Sequence, residues 1–283
     1  MFPAKNDLTI CFAHVAYQMQ ERFALRNTGI RSIQVRNRAD LDAGIGAADV
    51  LVVSGLWRND LVGLAPKLQF IQAIGAGTDQ FSRDLLQGRG IRLASASGVN
   101  ARAVSEHTIA LILAMARRLP EGRDNQHKKH WRGMIGDLTQ REDELGGKTL
   151  IVVGLGRIGG RLAQLAKAFD MHVIGFRRDP AAGPNGADEV YGLDRLPAHL
   201  PKADFVALNC PLTPETEGLM NKAAFGAMKP SAFLINCARG RCVDEAALVA
   251  ALSAKRIAGA AIDVTAEEPL APESPLWTME NVF

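Results

Sequence analysis

The residues with the sharpest chemical meaning in this chain are glycines. Gly154-Leu155-Gly156-Arg157-Ile158-Gly159 is a G-x-G-x-x-G pattern. The apolar run Thr149–Val153 before it reads as a strand, and residues 160–169 continue it as a helix. In that setting Gly154 permits a tight turn, Gly156 lets the backbone approach a pyrophosphate, and Gly159 allows close helix–strand packing, kept tight one turn later by Ala163. The phosphates would lie on the free N–H groups at the helix start. The next strand, His172–Phe176, ends in Arg177-Arg178, and Asp179 comes two residues late for a side chain leaving the strand tip. An acidic residue at that tip would hold the ribose hydroxyls of NAD; a guanidinium pair instead suits a 2′-phosphate through bidentate hydrogen bonds. The pattern therefore favours NADP(H) over NAD(H). The alternative is that Arg177 stacks on adenine and leaves selectivity weak.

The surrounding elements form two stretches of strand–helix alternation. In the first, short apolar runs lie at 8–13, 33–35, Val50–Val53, 70–74 and 91–94, with helical patterns between them, such as 17–28 stopping at Gly29. In the second, strands read at Thr149–Val153, His172–Phe176, Phe205–Leu208, 232–236 and 258–264. Continuous Val/Ile/Leu runs of this length fit parallel strands covered on both faces. Thr213-Pro214 reads as an N-cap with Pro at the first helical position, Asn221 as the cap of 222–228, and Asp244-Glu245 as the acidic start of an Ala/Leu-rich helix. Between the two stretches, 100–119 predicts a helix apolar on most sides, expected to pack between two lobes. The polar segment 122–136, with His127, Lys128, Lys129, His130 and Arg132, reads as a solvated helix face rather than an anion site.

Length and charge bound the partners. The chain has 283 residues, enough for two domains, and 33 Lys+Arg against 30 Asp+Glu give a net charge of +3, which supplies no reason to expect binding to nucleic acid or to an anionic membrane. The most apolar run, 108–116, is too short for the ~20 residues that span a bilayer. Residues 1–7 lack a signal-peptide pattern. Of the four cysteines, Cys11, Cys210, Cys237 and Cys242, only the last two are close, and C-x4-C without His neighbours is a poor zinc pattern, so no metal is expected. Unpaired thiols in apolar strands point to a reducing cytoplasm.

Four further segments carry a family resemblance over nearly the whole chain. They are Gly75-Ala76-Gly77-Thr78-Asp79; Gly98-Val99-Asn100-Ala101 followed by Glu106-His107; Pro211-Leu212-Thr213-Pro214-Glu215-Thr216; and Ile235-Asn236-Cys237-Ala238-Arg239-Gly240, with Val243-Asp244-Glu245, Ala261-Ile262-Asp263-Val264 and Glu268-Pro269-Leu270. Together they resemble the D-isomer-specific 2-hydroxyacid dehydrogenases, which include glyoxylate/hydroxypyruvate reductases. The resemblance implies an α/β fold of two doubly wound parallel-sheet lobes: a flavodoxin-like substrate lobe over 1–98, and a Rossmann NAD(P)-binding domain over 99–283 entered by the interdomain helix 100–119. The active site is then expected in the cleft. The implied reaction is reversible hydride transfer between nicotinamide C4 and the carbonyl carbon of a 2-keto acid, giving a D-2-hydroxy acid.

The implied roles agree with residue type. Arg239 offers a rigid fork to the substrate carboxylate and carbonyl, and its charge is most useful as the oxyanion forms. The N–H groups of Ala76 and Gly77 would hold the substrate carboxylate. Asp263 resembles the residue that hydrogen-bonds the nicotinamide carboxamide. The resemblance also assigns Gly154, Gly156, Arg157, Ile158, Arg177, Arg178, Cys210, Pro211, Thr216 and Cys237 to cofactor binding. Glu268, directly before a Pro, matches the carboxylate that orients a catalytic His and raises its pKa, with the adjacent Glu267 as its competitor.

That His is expected shortly after a PLW…NV segment, here Pro275-Leu276-Trp277 and Asn281-Val282, with Phe283 the last residue. None of His14, His107, His127, His130, His172 and His199 occupies the position, and His107 matches a position read as structural. The expectation is a longer native chain that carries the His within a few residues of Phe283, followed by the segment returning to the first lobe. Ser54-Gly55-Leu56-Trp57-Arg58 lies at a first-lobe strand end, where Arg58 either meets a polar substrate group or forms an ion pair and Trp57 either faces substrate or packs. Two rivals stand beside the reductase: a nucleotide-sensing co-repressor-like protein of the same fold, and a formate- or phosphite-type dehydrogenase. A homodimer built around the interdomain helix is also implied.

Overall fold

Strand-forming runs of Val, Ile and Leu build two sheets, each wholly parallel. In the computed structural model, residues 2–283 are described, the side chain of Thr139 excepted; Met1, first of the residues 1–7 read above, lies outside them. The chain divides into two compact units, residues 1–100 and 101–283.

The first unit alternates β1 (Thr9–Ala13), α1 (Met19–Ala24), β2 (Arg31–Val35), α2 (Arg38–Gly44), β3 (Val50–Val53), α3 (Leu61–Leu64), β4 (Phe70–Ala73), α4 (Arg83–Gly88) and β5 (Arg92–Ser95). The strands lie in the order β2-β1-β3-β4-β5, the flavodoxin-like winding. Leu41, Ile45, Leu51, Leu61 and Ile71 are fully buried in its core.

The second unit begins with α5 (Ala101–Ala116) and α6 (Leu119–His127). It continues as β6 (Thr149–Val153), α7 (Arg157–Lys167), β7 (His172–Phe176), β8 (Glu189–Tyr191), α8 (Leu196–His199), β9 (Phe205–Leu208), α9 (Lys222–Ala227), β10 (Phe233–Asn236), α10 (Glu245–Ser253) and β11 (Gly259–Ile262). Its order, β11-β10-β9-β6-β7-β8, is the Rossmann order 3-2-1-4-5-6 counted from β6. One face of this sheet is covered by α5 and α7 through Ile109, Ile112, Leu162 and Ala166; Phe176, Leu196, Phe225 and Leu248 belong to a second cluster. Among the described residues no helix is long and apolar enough to cross a membrane.

Local chemistry explains where elements depart from the pattern. The helix expected over 17–28 shrinks to α1. The His14 ring accepts the N–H groups of Ala16 (3.1 Å) and Tyr17 (2.9 Å), which holds its start in a turn. Asn27, at φ 48°, ends it before Gly29. No helix follows Thr213-Pro214. The N–H groups of Thr216 and Glu217 both reach the Thr213 carbonyl, at 3.0 and 2.9 Å, and Gly218 at φ 59° follows this single turn. Segment 122–136 is helical only to His127, and Lys129 turns left-handed at φ 53°. The caps behave as the residue types require: Asn221 Oδ1 accepts from Ala223 and Ala224 N–H (3.0 and 3.1 Å), and Asp244 Oδ1 from Ala247 N–H (3.0 Å).

Candidate active site

In the second unit the strand order reverses between β6 and β9, and open α/β sheets bind ligands at such a switch point, outside the carboxyl ends of the strands. Gly154 follows β6 at φ +96°, and a Cβ there would lie 2.6 Å from Asn209 C and Cys210 N, just past β9. Its N–H and that of Leu155 bond to the Phe176 carbonyl at 2.8 and 3.1 Å, so β7 fixes the turn. A Cβ on Gly159 would lie 2.2 Å from the Gly154 carbonyl oxygen. These two glycines set the backbone.

Gly156 differs. Its φ is −87°, it is exposed, and a Cβ would meet nothing within 4 Å. As N-cap of α7 it brings no side-chain hydrogen bond to the helix start, so the first turn offers N–H groups toward open space. That cradle fits a pyrophosphate. Beside it, Asn209 has both side-chain amide atoms buried without a partner among the described residues, as a group awaiting a ligand or water would.

Two supports of this turn are not legible in the sequence. The Asn185 amide donates to the Leu155 and Gly156 carbonyls at 3.3 and 2.9 Å. A Cβ on Gly160 would strike that amide at 2.1 Å. The Asn185-Gly186 dipeptide signals a turn, but nothing local says the turn reaches the start of α7.

At the β7 tip, Arg177 is half-buried and its Nη1 donates to the Gly183 carbonyl at 3.0 Å, while Arg178 is exposed. The Glu215 carboxyl is held below its ordinary range, chiefly by the Thr213 hydroxyl and its own backbone N–H, with a smaller contribution from Arg178. Asp179 Oδ1 caps the local turn through Ala181 N–H at 3.1 Å. Arg157 is exposed and Ile158 half-buried at the start of α7. Across the switch point, the buried Thr216 hydroxyl donates to the Pro211 carbonyl at 2.7 Å and so closes the loop after β9. Cys210 Sγ lies 4.0 Å from Cys242 Sγ, and that partner together with burial pushes the Cys210 thiol up.

Beyond β10, Asn236 is 1% exposed and shapes the next turn: its Nδ2 donates to the Arg239 carbonyl (3.0 Å) and its Oδ1 accepts from Ala238 N–H (3.1 Å). This turn presents Arg239, half-buried, with Nη1 on the Ala238 carbonyl at 2.8 Å. Gly240 is pressed against the segment after β11, where a Cβ would sit 1.9 Å from Thr265 C. The loops of Arg239 and Glu268 therefore abut. Glu268 Oε1 accepts from Thr265 N–H at 3.4 Å, and Glu268, unlike Glu267, helps line a cavity of about 400 Å³ with Asp263, Thr265 and Trp277. Asp263 is exposed, with Oδ1 3.6 Å from His107 Nε2.

In the first unit, Ala76 and Gly77 stand in the loop after β4. That loop is tied by the Gly75 carbonyl to Ala96 N–H at 3.2 Å and by Thr78 Oγ1 to Arg83 Nη2 at 3.2 Å. Trp57 packs on Phe81, centroids 5.0 Å apart, and Arg58 pairs with Asp42 (2.7 Å) and Asp60 (2.8 Å), so both side chains support the scaffold.

The family model of the D-isomer specific 2-hydroxyacid dehydrogenase NAD binding domain matches residues 109–283. The D-3-phosphoglycerate dehydrogenase of Mycobacterium bovis is 36% identical over 259 residues, covering 89% of this chain and 47% of that relative. The chain thus spans about half the length of the curated relatives it matches. Among solved structures, a protein from Thermus thermophilus superposes with TM-score 0.84 at 34% identity, covering 97% of this chain and 88% of that one. The NADPH-dependent glyoxylate/hydroxypyruvate reductase of Sinorhizobium meliloti, in complex with NADP and malonate, does so with TM-score 0.83 at 27% identity over 97% and 84%. Two parallel sheets wound in these orders, a dinucleotide-type turn and this match over most of the second unit lead to one assignment: the chain belongs to the D-isomer specific 2-hydroxyacid dehydrogenase family.

Proposed function

We propose that the protein reduces a 2-keto acid reversibly to a D-2-hydroxy acid and prefers NADP(H). The observation that carries this reading is the shared edge of one sheet. There the open cradle at Gly156, the Asn236-templated Arg239 and the carboxylate of Asp263 all follow strand ends. The α7 N–H groups with Arg157 and Ile158 would hold the pyrophosphate. Arg177 and Arg178 would hold the 2′-phosphate, the loop from Cys210 and Pro211 to Thr216 would support the ribose side, and Cys237 and Asp263 would face the nicotinamide. When bound, the reduced nicotinamide supplies the hydride.

Arg239 grips the substrate carboxylate and carbonyl, and its charge counts most as the oxygen turns anionic. Glu268 supplies the carboxylate that orients the proton donor and favours its charged form. A cytoplasmic homodimer completes the proposal; the exposed Leu119, Trp131, Met134 and Leu138 of one segment supply apolar surface for it.

The test is oxidation of NADPH and NADH by the full-length polypeptide with glyoxylate, hydroxypyruvate, 3-phosphohydroxypyruvate and longer 2-keto acids. Turnover with a D-configured product supports the reading. Dinucleotide binding without turnover on any of them refutes it in favour of a sensor.

A further inference from the structure

We infer that His107, Cys237 and Asp263 form a binding site for a borderline-soft divalent cation of the zinc class. The three residues lie far apart in sequence, and the fold brings one ligand atom of each within 4.8 Å of the others. A tetrahedral zinc ion, with metal–nitrogen near 2.0 Å and metal–sulfur near 2.3 Å, sets neighbouring ligand atoms roughly 3.3–3.8 Å apart. His107 Nε2 and Asp263 Oδ1 already stand at 3.6 Å. Cys237 Sγ lies within 4.8 Å of both, so completing such a face asks the sulfur to approach by no more than roughly 1.5 Å.

The backbones beneath are fixed. Cys237 and Asp263 follow adjacent strands paired through Asn236 and Ile262, and Asp263 N–H extends that ladder to the Asn236 carbonyl at 3.0 Å. His107 sits on α5, anchored in the same core by Ile109 and Ile112. Imidazole, thiolate and carboxylate together suit zinc or cobalt better than the all-oxygen preference of magnesium or calcium. His107 and Asp263 are exposed, which leaves a fourth position open to water. On binding, the Cys237 thiol releases its proton to solvent as the metal–sulfur bond forms, with no change of oxidation state. Asp263 and Cys237 are also the groups assigned above to the nicotinamide, so cation and dinucleotide exclude each other; that consequence rests on the proposed function, whereas the site itself does not.

Cobalt(II), titrated into metal-free protein without dinucleotide, tests the site through its thiolate charge-transfer absorption. The expected result is one cobalt per chain, displaced by zinc. The absorption should be lost in Cys237→Ser, retained in Cys11→Ala, and require at least tenfold more cobalt in His107→Gln and Asp263→Asn, with melting temperatures showing each variant folded. No absorption at tenfold excess cobalt, or absorption that survives Cys237→Ser, overturns the site. Added NADPH should then release the cobalt; cobalt and NADPH bound together would overturn their exclusion. Cobalt binding by a chain that binds no dinucleotide would refute the proposed function and leave the site standing.

Discussion

Gly154 and Gly156 are two residues apart in one motif, yet substituting each by Ala should fail in different ways. At Gly154 the new Cβ meets Asn209 C, Cys210 N and the Asn209 carbonyl oxygen at 2.6, 2.6 and 2.7 Å, on a backbone at φ +96°. The left-handed conformation costs about 1–2 kcal/mol for a non-glycine residue. Overpacking against backbone adds about 1–3 kcal/mol. Gly154→Ala should thus lose about 2–5 kcal/mol, visible as an earlier urea midpoint for the second unit. At Gly156 φ is −87° and the Cβ enters open space. Exchanging Gly for Ala at an N-cap should change stability by no more than about 1 kcal/mol. The methyl group would stand where a pyrophosphate must approach, at a cost of about 1–3 kcal/mol, or roughly tenfold to a hundredfold in Kd. Circular dichroism in urea and NADPH fluorescence titration separate the two. If Gly156→Ala binds NADPH like the parent, or unfolds as early as Gly154→Ala, the division of labour argued for this turn is wrong.

Other expectations follow from the same geometry. Arg178→Asp should lower the ratio of NADPH to NADH kcat/KM more than Arg177→Asp, because Arg177 is tied to Gly183 and Arg178 is exposed; an unchanged ratio in both variants sinks the phosphate assignment. Glu189 is held below its ordinary 4.5 by the Tyr191 hydroxyl and then by His172. For Asp188, burial pushes the carboxyl up, but Lys167 and the Val173 N–H outweigh it and hold it below 3.8. A lowered folded value means stability fully present above those ordinary values and lost as pH falls through the depressed ones, so Asp188→Asn should flatten acid unfolding below about pH 4; an unaltered acid limb contradicts this. Asn221→Ala should destabilise by about 1 kcal/mol through two lost cap bonds, read as a urea midpoint shift. Burial pushes the Cys237 thiol up as it does Cys11, but Cys237 is half-buried where Cys11, Cys210 and Cys242 are buried, so a thiol reagent should label Cys237 first and the other three only on unfolding; rapid labelling that persists in Cys237→Ser would contradict it.

The second sheet was legible where its strands are covered on both faces. Phe205–Leu208 is an unbroken apolar run, Thr149–Val153 and His172–Phe176 are buried after their first polar residue, and all three fold with those bounds. Edge strand β8 escaped because Glu189-Val190-Tyr191 pairs on one side only, and its charge and hydroxyl serve a surface network with His172. The glycine turn was legible because each glycine answers a local steric demand. Asn185, Asn209 and the meeting of His107 with Cys237 and Asp263 were not, since each depends on which loops the winding order brings to one edge. Arg58 shows the same limit: a charged residue at a strand end reads as a ligand group or an ion pair alike until Asp42 and Asp60 are placed beside it.

The central claim is that the Asn236-templated Arg239 acts on a 2-keto acid. The most direct test compares the full-length parent with Arg239→Lys, which keeps the charge and loses the planar fork. Arg239→Lys should lower kcat/KM for the 2-keto acid by roughly a hundredfold or more, with the Kd for NADPH unchanged within about threefold. Equal kcat/KM in the two proteins would contradict it.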